Sequence, residues 1–209
     1  MAGGVTPATK SRDASGPTAY GPGPVPIEPD TEDWTWVLEQ PCPECGLAVG
    51  SVPIEQLGPA VRDNAAAWQR LLARPRELLA TRPSDDRWSA LEYACHVRDV
   101  LCLFEGRIAR MLAEDEPRFT DWDPDAAAVE DRYGDQDPAE VAAAIVDAAA
   151  TFADRLAGVR GEAWERVGHR SDGVPFTVAG YVRYLLHEGV HHLADAEAGL
   201  AALGGRARS

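Results

Sequence analysis

Long apolar runs are missing from this chain of 209 residues. Arg, Asp or Glu interrupts every apolar stretch before it reaches the length of a bilayer span, which excludes a transmembrane helix. The first residues also lack the apolar centre of an export signal, so a reducing cytoplasm is the expected compartment. In that setting paired cysteines bind metal or do redox work more often than they form structural disulfides. The chain has four, Cys42, Cys45, Cys95 and Cys102. Positive charge is scarce. Lys and Arg total 20 against 34 Asp and Glu, for a formal net charge of −14, and every cation but Lys10 is arginine. Such an acidic surface repels phosphate backbones and anionic lipid, so nucleic acid and membranes are excluded as partners. A strand pattern of any strength is lacking too, as is an internal repeat.

What remains suits one helical domain. An apolar fraction of 45% and a charged fraction of 26% are ordinary for a globular chain, and this length can bury a full core. Residues 1–30 are rich in Gly, Pro, Ser, Thr and Ala and read as a flexible tail. Residues 31–53 differ, because Trp34, Trp36, Val37 and Leu38 want apolar cover; this extension is expected to pack on the main domain. Four amphipathic helices then follow within residues 54–205, before a short tail at 206–209. The first, roughly Ile54 to Arg74, carries Leu57, Val61, Ala65, Trp68 and Leu72 at spacings of three or four. The second opens on a Ser89–Glu92 capping box, flanked by Trp88 and Tyr93 at staple positions, with Val97, Leu101, Phe104, Ile108 and Met111 inward. A long acidic connection, Arg118 to Gln136, embeds Trp122 and Tyr133. The third helix starts with Asp137 as cap and Pro138 in its first turn, and Gly158 and Gly161 end it. The fourth runs from near Thr177 past Leu200, with Gly204 and Gly205 as its stop. Four such helices pack as a bundle.

Three of the five histidines fall in His187-Glu188-Gly189-Val190-His191-His192. Residues four apart share a helix face, so the imidazoles of His187 and His191 can grip one ion. His96, on the second helix and at the edge of its apolar stripe, supplies a third ligand. His192, about a quarter turn from His191, and His169, in the polar loop before the last helix, are set aside. The same run matches the H-E-x-x-H zinc-protease pattern. That reading is discounted because no edge strand and no further downstream ligand accompany it, which leaves Glu188 a surface or supporting residue.

Trp88-Ser89-Ala90-Leu91-Glu92-Tyr93 with His96, the acidic connection, and Leu185-Leu186-His187-Glu188 with His191-His192 together resemble the DinB/YfiT-like superfamily, which includes mycothiol- and bacillithiol-dependent enzymes. The resemblance covers about residues 54–203. It implies an all-α four-helix bundle of up-up-down-down connectivity and a divalent metal on His96, His187 and His191, with zinc foremost and nickel, iron, manganese or cobalt as other imidazole-binding ions. It further implies a low-molecular-weight thiol used for S-transfer or isomerisation on a small electrophile. Hydrolysis by metal-activated water and a non-catalytic metal-binding module are the alternatives. Homodimers are common among such bundles.

Other residues carry two readings each. Glu92 or Asp195 accepts a proton or holds a histidine ring, though Glu92 is also the cap residue. Tyr184 borders the histidines. Arg183 and Arg132 either bind a substrate carboxylate or are solvated charges. Cys42-Pro43-Glu44-Cys45-Gly46 stands outside the family pattern. It is half of a Cys₄ zinc site shared with a second subunit, or a redox pair, or a lid that brings a thiolate to the histidine-bound metal. The last is favoured because the adjacent tryptophans should dock on the bundle. Cys95 and Cys102 read as small buried apolar residues.

Overall fold

The computed structural model describes residue 27 and residues 33–206. The expected flexible tails therefore lie outside the described residues, apart from Ile27 and Arg206. The helices are α1 (Ile54–Leu72), α2 (Arg76–Leu79), α3 (Ala90–Ala113), α4 (Pro124–Glu130), α5 (Pro138–Leu156) and α6 (Val178–Arg206), with a hairpin of β1 (Val167–His169) and β2 (Pro175–Thr177) before the last. The inward stripes read from the sequence are the buried faces. Leu57, Val61, Ala65, Trp68 and Leu72 in α1 meet Val141, Ile145, Phe152 and Leu156 of α5 in one core. The Ser89–Glu92 capping box forms in both directions.

The long helices α1, α3, α5 and α6 make a ring in which α5 and α6 each lie between α1 and α3, while α1 and α3 touch only marginally. Their directions follow from which ends meet. Arg62 of α1 pairs with Asp154 near the end of α5, and Arg76 beyond α1 reaches the Asp135 carbonyl just before α5, so these two helices are antiparallel. Arg98 of α3 bonds Gln136 ahead of α5, and Arg166 beyond α5 bonds the Met111 carbonyl near the end of α3, so α3 and α5 run together. His96 faces Glu188 while Arg107 bonds Tyr181, so α6 runs against α3. In chain order the bundle is up-down-down-up. This corrects the up-up-down-down order drawn from the resemblance. The reason is the connection 114–137, which is long enough to carry the chain back along α3 so that α5 starts beside the start of α3.

Smaller departures have local causes. Asp123 caps α4 and Pro124 starts it, the same device that opens α5, inside the stretch read as a plain connection. The helix α6 continues through Gly204 and Gly205 to Arg206. Cys95 is buried, but Cys102 is exposed on the outer face of α3, next to the inward Leu101.

Ahead of α1 the chain makes two short 3₁₀ turns, Trp34–Leu38 and Val49–Ser51, that bury Val37 and Val49 and pack on α6. They lie so close that a Cβ on Gly50 would stand 2.1 Å from the Leu38 carbonyl oxygen. No helix among the described residues is long and apolar enough to cross a membrane.

Candidate metal centres

The α6 helix carries two pairs of donors four residues apart, offset by one position. Offset by about 100°, the two pairs face different ways. His187 and His191 face the extension and Glu188 and His192 face α3, and the structure sorts them accordingly.

His96 of α3 lies with Glu188 and His192, one ligand atom from each within 4.8 Å of the others. His192 Nε2 is 3.2 Å and His96 Nε2 is 3.8 Å from Glu188 Oε2. These values bracket the roughly 3.4 Å edge of a tetrahedron built on zinc–nitrogen and zinc–oxygen bonds of about 2.0–2.2 Å. Asp195 accepts from His192 Nδ1 at 3.3 Å, a carboxylate that would orient a liganding ring. Aromatic rings fix the imidazole of His96. Trp122 stacks on it at 5.6 Å and Trp88 lies at 5.3 Å.

The electrostatics suit a cation. Burial holds His96 below its ordinary pKa, which keeps it neutral. Burial also opposes charge on His192, yet hydrogen bonds to Asp195 and Glu188 outweigh it and raise the ring to about 9. Burial would raise Glu188, but His192 and His96 bring it well below the carboxylate range. The proton on His192 thus sits between two carboxylates, where a metal ion would displace it.

His187 and His191 instead lie with Cys42 and Cys45 of the extension, again with donor atoms within 4.8 Å of one another. Burial, and then His191, hold His187 down to about 4. Burial raises the Cys45 thiol against a backbone hydrogen bond from Leu47. A third grouping, Glu44, His191 and Asp195, reuses His191 and includes an exposed carboxylate. Among the described residues, two buried side-chain polar atoms have no hydrogen-bond partner, Nδ1 of His96 and Nε2 of His187. One belongs to each of the two main clusters. A buried donor or acceptor without a partner costs about 1–3 kcal/mol, and a cation bound at Nε2 of His187 would remove that cost there.

The three histidines expected to share one ion are therefore divided, with His96 in one cluster and His187 and His191 in the other. All three line a cavity of about 770 Å³ together with Glu188, His192, Asp195, Tyr184, Trp34, Trp88 and Trp122. Glu92 is elsewhere. It closes the capping box and takes a forked ion pair from Arg82, with its nearest contact at 2.6 Å. Arg183 donates to the Val52 carbonyl, and Arg132 pairs with Asp135 on the surface. The arginines in the cavity wall are Arg107 and Arg170. The sequence reading assigns Glu188 a surface or supporting role and sets His192 aside, although the signal that marked His187 and His191, a spacing of four, marks them equally.

The chain has a known structural relative. YfiT from Bacillus subtilis, described as "a probable metal-dependent hydrolase with an unusual four-helix bundle topology", superposes with a TM-score of 0.69 at 16% identity, over 74% of this chain and 91% of that one. Comparison with curated proteins gives no match. The sequence from 60 to 196, running from within α1 to within α6 and including both histidine-bearing faces, matches the DinB superfamily, and the chain belongs to that superfamily.

Proposed function

We propose that the protein is a metal-dependent enzyme that activates a low-molecular-weight thiol of the mycothiol kind for S-transfer to, or isomerisation of, a small electrophile. The observation that carries this reading is the convergence of His96, Glu188 and His192 on a wall of the 770 Å³ cavity. Three protein ligands leave at least one position for an exogenous ligand. A divalent ion there would lower the pKa of a thiol and make it nucleophilic near neutral pH. The cavity volume is at the upper end for small-molecule sites and admits a thiol and an electrophile side by side.

The chain's own residues do the rest. Asp195 holds the His192 ring through its Nδ1 hydrogen. Arg107, which donates to the Tyr181 hydroxyl and the Thr120 carbonyl, offers its charge to a carboxylate on thiol or substrate. Trp88, Trp122 and Tyr184 keep water from the reacting centre.

A second reading is hydrolysis by activated water. Two histidines and one glutamate are also the ligand set of hydrolytic zinc sites. The test is a panel of electrophiles and esters offered to metal-loaded protein with and without thiol. Thiol-dependent consumption that His96→Ala and Glu188→Gln abolish, together with bound metal, supports the first reading. Turnover of equal rate without thiol replaces it with the second. Full activity in Glu188→Gln overturns both.

A further inference from the structure

Four donor side chains meet at the seam between the extension and α6, apart from the centre just described. We infer that Cys42, Cys45, His187 and His191 form a closed four-coordinate zinc site that fastens the extension to the bundle.

The distances fit. With zinc–sulfur bonds of about 2.3 Å and zinc–nitrogen bonds of about 2.0 Å, the sulfur–nitrogen edge of a tetrahedron is about 3.5 Å. Cys42 Sγ lies 3.6 Å from His191 Nδ1. The backbone is shaped for two convergent sulfurs. Gly46 donates to the Cys42 carbonyl at 2.9 Å, Cys42 donates to the Leu47 carbonyl at 3.0 Å, and Gly46 holds φ at +74°, a conformation that favours glycine. This tight turn points both thiols at α6, where two imidazoles one turn apart complete the set.

The surroundings fit as well. Cys42, His187 and His191 are buried, and the Trp34 ring covers both imidazoles at 5.8 and 4.9 Å. His191 coordinates through Nδ1, which leaves Nε2 3.6 Å from the carboxylates of Glu44 and Asp195. The partnerless Nε2 of His187 gains its partner. A thiol redox pair would need neither histidine and would leave that nitrogen orphaned. All four positions are filled by protein, so the ion is structural, and it links residues 149 apart in sequence.

Cobalt substitution in the full chain tests this. Thiolate ligation gives a sulfur-to-cobalt charge-transfer band that a His/Glu/His centre cannot produce. The wild type should show that band together with the intense visible bands of tetrahedral cobalt. His96→Ala should keep both, and Cys42→Ser/Cys45→Ser should lose the charge-transfer band along with one bound metal per chain while retaining its helical circular dichroism. If the serine pair fails to fold, His187→Gln, which retains both sulfurs, must still weaken binding of the cobalt ion that gives the charge-transfer band. Absence of the band in wild type, or its persistence in the serine pair, overturns the inference. The enzymatic reading fails on different variants, His96→Ala and Glu188→Gln, so the two failures are distinguishable.

Discussion

Single residues decide which chemistry α6 offers. His187-Glu188-Gly189-Val190-His191-His192 holds two pairs at the same spacing, and helical periodicity alone cannot say which pair faces α3. The choice depends on the rotation of α6 about its axis, which packing against α1 sets. The Gly189 carbonyl accepts from Asn64 at 3.0 Å and Trp68 at 3.1 Å, and that turns Glu188 and His192 toward His96. Metal donors were thus legible as residue types, and their grouping was not. Glu92 shows the opposite case, a residue whose capping role was readable and sufficient. Its side chain is nearly buried against Arg82. Glu92→Ala should therefore lower stability by about 3 kcal/mol by breaking the cap and the buried ion pair with Arg82. Below its new melting temperature the variant should turn over at the wild-type rate. Loss of activity in a folded Glu92→Ala would restore it as a proton acceptor.

Whole elements were legible where their signals were local. Capping residues and apolar stripes marked the four long helices to within a few residues. The hairpin of β1 and β2 was missed because strands of three residues carry no period, and their pairing is settled by Phe176 burying itself near the end of the bundle. The extension was recognisable from its tryptophans, but its docking surface was not, since contacts with α6 span most of the chain. That docking is sensitive at Gly50, where any side chain meets the Leu38 carbonyl, a backbone group with little room to yield. Gly50→Ala should cost about 1–3 kcal/mol, concentrated in the extension. Amide exchange over residues 34–51 should accelerate while α3 and α5 stay protected. Uniform protection in both would refute the tight approach.

At the scale of the whole molecule, burial suppresses the ionisation of the interior tyrosines. Of the five tyrosines, Tyr93 is pushed up to about 12, and Tyr133, Tyr181 and Tyr184 are also raised, chiefly by burial. The folded state then holds protons that the unfolded chain releases near pH 10. Stability from this source is intact below pH 10 and falls as the pH rises beyond it. An absorbance titration should show tyrosinate developing mainly in step with alkaline unfolding. Smooth ionisation near pH 10 with the fold intact would contradict the burial. The helix order has its own kinetic consequence. Consecutive long helices α1 and α3 occupy opposite corners of the ring, and so do α5 and α6. No two of them can zip together as a simple hairpin. The consecutive pair α3 and α5 is adjacent but parallel and must wait for the long crossover 114–137, and α1 must wait for α5 or α6 to arrive, so folding should be slower than in an up-and-down bundle of equal length.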